Sequence, residues 1–198
     1  MDEKFWDDKY GENGQVWSGR PNGVLVSEAA DLQPGRALDV GCGEGGDAHW
    51  LAEHGWTVTG VDLSRVALAR ARELCRDLPV DLRHQDIAKE PPEPGAYDLV
   101  SLHYFPLLRE KGHPALRGLV EAVAPGGTLL VAGHEMSGLQ AQGAGDSDQG
   151  DFYQPSEFAA FLGEGWTVEA DGVRPRVDSA PEGTEHTHDV VLRAHRSA

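Results

Sequence analysis

Gly41-x-Gly43-x-x-Gly46 follows a short apolar run, and Asp62 falls about 20 residues further on. Glycines let the backbone come close to a ligand, and an acid at the end of the following strand accepts both hydroxyls of a ribose. The pairing points to a nucleoside, and two classes of nucleoside-binding protein share it. Asp86 stands just past a third strand-like stretch, Val80–Arg83, where a carboxylate can take the exocyclic amine of adenine. Asp39 and Glu44 flank the glycines. A helix N-terminus that receives an anionic pyrophosphate is ill served by neighbouring carboxylates. A ligand carrying an amine and a sulfonium tolerates them. A tight strand-to-helix turn without any ligand would use the same glycines, but it gives no reason for the spacing of the later acids.

A second set of residues could act on a substrate. His103 and His134 each follow an apolar run, and His186 and His188 open the last one. If these runs are strands of one sheet, the four histidines and Glu135 converge at its mouth. They could supply a general base. They could form a metal site, because His186-x-His188 places both side chains on one face of a strand. Or they are only polar strand ends. His103 is the residue expected to act directly on the substrate, His134, His186 and His188 are expected to line its site, and no metal ligand is assigned. Arg20, fixed between Gly19 and Pro21, could pair with an anionic group in the site. Trp6, Tyr10 and Trp17 precede the glycines and form either an aromatic lid or a staple for N-terminal helices.

The elements that must position these residues alternate between strand and helix. Arg36–Val40, Thr57–Val61, Val80–Arg83, Tyr97–Leu102 and Thr128–Ala132 read as short, mostly buried strands. Helical spacing separates them, with Ser64 placed as an N-cap. Trp166–Val173 and His188–Arg193 have no helical pattern between them, so they form an antiparallel pair. Phe5–Tyr10 and Gly23–Ala30 read as helices, giving an N-terminal cap over 1–30. Gly138–Gly150 reads as a flexible loop of lid length. The whole is an α/β chain with helices on both faces of a parallel sheet, expected to form a single domain over 1–198.

Composition narrows the partners. The chain has 198 residues, with 17 Lys+Arg against 33 Asp+Glu, a formal charge of −16. That charge disfavours sequence-independent binding to nucleic acid, which needs cations to displace counterions, and docking on anionic lipid. No stretch approaches the apolar length of a transmembrane helix, and the N-terminus has no signal-peptide pattern. Only two cysteines occur, Cys42 and Cys75, which suits a reducing compartment. The expectation is a cytoplasmic protein with a small-molecule substrate and neither nucleic acid nor membrane as partner. Nothing in the sequence speaks to its oligomeric state.

Leu38-Asp39-Val40-Gly41-Cys42-Gly43-Glu44-Gly45 resembles motif I of the class I S-adenosylmethionine (SAM)-dependent methyltransferases. Val61-Asp62-Leu63-Ser64, Gln85-Asp86-Ile87 and Tyr97-Asp98-Leu99-Val100 resemble the motifs that follow, in order and at family spacing. Ala124-Pro125-Gly126-Gly127-Thr128-Leu129 resembles the turn into the fifth strand. Within the family, the Trp17…Gly19-Arg20-Pro21 lead-in is similar to the small tellurite-resistance-type and thiopurine-type enzymes. The resemblance implies a Rossmann-like, doubly wound seven-stranded sheet of order 3-2-1-4-5-7-6 with strand 7 antiparallel. It implies SAM as cofactor. Gly41, Gly43 and Gly45 would line the methionine moiety, with Asp39 by its amine and Ser101 and Trp17 near that end. Asp62 would hold the ribose, Leu63 would pack on the adenine, and Asp86 with Ile87 would bind its amine edge. The function so implied is methyl transfer to S, Se, Te, N or O of a small molecule. A non-catalytic SAM- or nucleotide-binding regulator is the alternative of another class. An NAD-dependent oxidoreductase is a third, disfavoured by Asp39.

Overall fold

The structure, a computed structural model, describes residues 2–12, 14, 16, 19–135, 151–177 and 187–198. Trp17, His186 and the Gly138–Gly150 segment therefore lie outside the described residues.

Strands β1 (Arg36–Val40), β2 (Thr57–Asp62), β3 (Val80–His84), β4 (Tyr97–His103), β5 (Val123–His134), β6 (Trp166–Pro175) and β7 (His188–Arg196) form one sheet. Its order is β3-β2-β1-β4-β5-β7-β6. The first five strands pair in parallel, and β7 runs antiparallel to both β5 and β6. This is the expected topology, with the last strand inserted between its two neighbours.

Helices α1 (Glu3–Glu12), α2 (Gly23–Ala29), α3 (Gly46–Glu53), α4 (Arg65–Leu74) and α5 (Pro114–Ala122) surround the sheet, with a 3-10 helix at Pro155–Phe161. Strand alternation divides the core in two. Leu38, Val40, Val100, Leu102, Leu129 and Val131 face α5 and the 3-10 helix. Ala37, Val58, Leu99, Leu130, Ala132 and Val191 face α2 and α3, meeting Val24, Leu25, Ala48 and Leu51. Phe158 is fully buried in the first layer.

Both ends of β5 lie outside the run read from the sequence, and both matter for the site. β5 begins at Val123 rather than Thr128, because Val123 pairs with Tyr97 and the Pro-Gly-Gly segment is absorbed as an irregularity in the β4–β5 register. It also runs on to include His134, held opposite Asp189 of β7. The N-terminal helix α1 is docked on α4: Tyr10 is buried, and Asp7 accepts a hydrogen bond from the Ser64 hydroxyl at 2.6 Å. Ser64 is also the N-cap of α4, its oxygen accepting from the Ala67 N–H.

Candidate active site

The turn after β1 is built around Asp62. One carboxylate oxygen accepts the Gly43 N–H at 2.9 Å and the other accepts the Ser64 N–H at 2.7 Å. The acid is thereby fixed at the end of β2 with lone pairs to spare. Burial pushes its carboxyl above the ordinary range, against the pull of those backbone donors. The glycines of the turn serve different neighbours. Gly41 has φ +69°, and a Cβ there would fall 2.3 Å from the Phe105 ring, so this glycine is needed for close approach. Gly45 has φ +91°, and its missing side chain lies against Ala71 and Cys75 of α4. Cys42, inside the turn, is buried, and burial drives its thiol well above the usual value. It is no nucleophile at neutral pH.

Asp39, Ser101 and His103 share the face that packs on α2 and α3, since Asp39 pairs with Ser101 and alternate residues of β4 point the same way. Asp39 is 2% exposed, and its Oδ2 has no hydrogen-bond partner among the described residues. Burial, reinforced by the Asp47 and Asp62 carboxylates, holds its carboxyl well above the ordinary range. Ser101 is buried and its hydroxyl turns to the Leu38 carbonyl at 3.4 Å. The His103 side chain is 2% exposed. Its Nδ1 lies 2.9 Å from Oδ2 of Asp47, the second residue of α3. Asp47 also accepts the Asn22 N–H at 2.7 Å and the Asn22 side-chain amide at 2.9 Å. Burial opposes ionisation of Asp47, but the bonds from His103 and Asn22 outweigh it and keep the carboxyl below its usual value. With Asp47 ionised, the bond between them is made by an Nδ1–H of His103, which leaves Nε2 as the ring nitrogen turned away from Asp47. That Nε2 is buried with no partner among the described residues.

At the other end of the row, Asp86 accepts the Ala88 N–H and pairs with Lys89 at 2.7 Å. Burial raises its carboxyl, yet Lys89 and the backbone donors bring it below the ordinary range. Ile87 is 5% exposed and belongs to the core beside Val61, while Leu63 is half-buried, its carbonyl 2.9 Å from His84 Nε2. Helix α1 lies next to this end through Asp7–Ser64 and through Glu3, which pairs with Arg65 and His84. Further along, Arg70 of α4 ties Glu44 of the glycine turn to the Tyr10 carbonyl.

The remaining expected residues are not all brought together. His134 stacks on Tyr104, with ring centroids 4.4 Å apart. His188 is exposed and its ring meets Thr187 instead. The register explains the separation: Asp189 pairs with His134, so its neighbour His188 points to the opposite face. The expected convergence of His188 with His103 and His134 is therefore not what this fold produces. Arg20 is exposed, and its backbone carbonyl rests on Gly46. Among the described residues there is no group of three His, Cys, Asp or Glu with metal-binding proximity. A cleft of about 740 Å³ lined by Glu44, His49 and Arg70 opens between α3 and α4, and it contains neither Asp62 nor His103. Sequence reasoning missed Asp47, Asn22, Tyr104, Phe105 and Arg176. Only Asp47 left a signal, as an acid in the first turn of the helix that follows the glycines.

A family model described as "Methyltransferase domain" matches residues 37–127. The chain is 31% identical over 160 residues to the ubiquinone biosynthesis O-methyltransferase of Pseudomonas aeruginosa (strain LESB58), covering 70% of this chain and 67% of that protein. Against the proteins of the same name from Marinobacter nauticus and Ralstonia nicotianae it spans 47% and 64% of their length, about half to two thirds. Among solved structures, one described as "Conversion of a Disulfide Bond into a Thioacetal Group during Echinomycin Biosynthesis" superposes with a TM-score of 0.76 and 25% identity, covering 98% of this chain and 92% of that one. N-methyltransferase NodS from Bradyrhizobium japonicum WM9, in complex with S-adenosyl-L-homocysteine (SAH), superposes with a TM-score of 0.71 and 17% identity, covering 98% and 99%. The NodS likeness is one of fold. Fold and turn define a Rossmann-like methyltransferase domain. The chain belongs to the class I SAM-dependent methyltransferases, whose methyl donor is SAM.

Proposed function

We propose that this chain transfers the methyl group of SAM to a nucleophilic O, N, S, Se or Te atom of a small molecule, with His103 as general base and Asp47 as the residue that orients it. The observation that carries the reading is the 2.9 Å bond between His103 Nδ1 and Asp47 at the carboxyl end of β4. Asp47 sets the tautomer and favours the imidazolium that forms when Nε2 takes a proton, as a carboxylate does in other acid–histidine pairs.

The residues present fit the cofactor. Asp62 offers fixed lone pairs for ribose hydroxyls. Asp39 offers a buried oxygen without a partner among the described residues, matched to an amine. Gly41 and Gly43 supply the close backbone, and Asp86, Leu63 and Ile87 take the adenine end. Bound SAM supplies an electrophilic methyl on sulfur and a neutral thioether leaving group. For an acceptor that must lose a proton on methylation, His103 Nε2 would take that proton, with Asp47 balancing the charge that develops on the imidazole. An acceptor that is already an anion needs no base, and there the enclosed site contributes mainly by positioning.

A small acceptor is supported by the charge of −16, which repels nucleic acid at long range. Oxygen is supported by the O-methyltransferase relatives and sulfur by the thioacetal-forming neighbour. Two free, buried cysteines support a cytoplasmic site of action, and no helix among the described residues is long and apolar enough to cross a membrane. The test is a screen of small phenols, amines and thiols with SAM, reading methylated product and SAH by mass spectrometry. Product from at least one class, lost in His103→Ala for acceptors protonated at the assay pH, is the expected result. SAM binding without product across the panel would overturn the reading.

A further inference from the structure

Beyond His103, the carboxyl edge of the sheet carries a polar cluster that the methyl-transfer step does not use. Tyr104 follows β4 in a left-handed backbone conformation, φ +54°, which is uncommon for an aromatic residue and tends to mark a site. Its ring stacks on His134 at the end of β5. The Arg176 guanidinium, just past β6, lies over the other partner of that stack, 5.2 Å from the Tyr104 ring centroid. The Arg176 backbone N–H is pinned to the Thr187 carbonyl at 2.9 Å. Its Nη1 is 3.4 Å from His134 Nδ1 and 3.8 Å from Asp189 Oδ1, the latter beyond hydrogen-bond distance. Its Nε is buried and has no hydrogen-bond partner among the described residues. The side chain is 13% exposed, in a chain whose acids outnumber its Lys and Arg nearly two to one.

A guanidinium held in place by an aromatic ring and a neighbouring imidazole is an arrangement that recognises a planar anion. We propose that Arg176, laid over Tyr104 beside His134, anchors a carboxylate on the methyl acceptor. This rests on the methyl-transfer reading, because it places the anchor on the half of the sheet edge reached from β4 and β5, with His103 adjacent to Tyr104 in the chain. Asp189 Oδ1 lies at ion-pair distance from Nη1, 3.8 Å, and lowers the net charge beside the guanidinium.

The experiment is calorimetric titration of the SAH-saturated protein at pH 7 with matched acid and neutral probes: 3,4-dihydroxybenzoate against catechol, and 4-(mercaptomethyl)benzoate against benzyl thiol. In at least one pair the acid should bind about tenfold or more tightly than its neutral partner, as a charge-assisted hydrogen bond warrants. Arg176→Gln should reduce that preference to within about twofold, and Arg176→Lys should retain part of it, while SAH affinity and melting temperature in the lysine variant stay close to wild type. Equal binding of acid and neutral probes, binding of neither while SAH binds normally, or a preference that survives Arg176→Gln would overturn the anchor. Failure of SAH itself to bind, seen before any probe is added, would instead overturn the methyl-transfer reading beneath it.

Discussion

His103 Nδ1 donates to Asp47 Oδ2 at 2.9 Å, joining the end of β4 to the first turn of α3 across 56 residues of sequence. With the Asn22 bonds to the same carboxylate, this locks three elements around one imidazole. If that imidazole is the base, Asp47→Asn leaves the shape and removes the charge that sets the tautomer. The expected outcome is a fall in kcat of about 10²-fold with an acceptor that must lose a proton, and SAM affinity within about twofold. His103→Ala should fall at least as far and recover partly with added imidazole. A loss confined to KM, or no rescue, would assign both residues to structure alone.

Asp62 holds two backbone N–H groups and, by our reading, a ribose. Asp62→Ala should weaken SAM and SAH alike by more than tenfold in calorimetry, since the ribose hydroxyls lose an acceptor and the turn loses its brace. Unchanged affinity would remove Asp62 from the cofactor site.

Asp39 is buried, and desolvation with the nearby Asp47 and Asp62 charges raises its carboxyl well above 3.8. The folded protein therefore binds this proton more tightly than the unfolded chain does. The group's contribution to stability is complete below the unfolded value and is lost as pH rises toward the folded one. Asp39→Asn has no proton to lose. In the absence of ligand its melting temperature should exceed that of wild type by a few degrees, at about 2–4 °C per kcal/mol, and by more at pH 8 than at pH 4. A margin that shrinks with rising pH in thermal scans would show that the carboxyl is not held neutral by the fold.

Gly45 has φ +91°, and an added Cβ would sit 3.0 Å from the Ala71 Cβ. Gly45→Ala should cost about 1–3 kcal/mol of stability from backbone strain and helix displacement. Denaturant titration reads that cost, and SAM affinity measured on the folded fraction should change little. A large loss of affinity without loss of stability would show that the Gly45 position acts on the cofactor rather than on the contact with α4.

The glycine turn and the acids that end β1, β2 and the β3 connection were legible in the residues, because they are set by local chemistry. A turn that reverses in a few residues needs positive φ, and a carboxylate that follows a buried strand is already placed by the strand. Trp166–Pro175 and His188–Arg196 were legible as a pair for the same local reason, the lack of a helical period between them. What no local rule contains is facing. His134 and His188 look equivalent in sequence, yet the β5–β7 register sets Asp189 opposite His134 and turns His188 away. Asp47 and His103 meet only because β1 and β4 are neighbours and α3 packs on the face they share. Arg176 reaches Tyr104 only because β7 slots between β5 and β6 and brings the end of β6 to the same edge. The sequence by itself determined the cofactor-side turn, since its contacts are short-range. Tertiary structure decided the acceptor-side groups, because strand alternation makes the position of each one depend on which strands become neighbours and in what register.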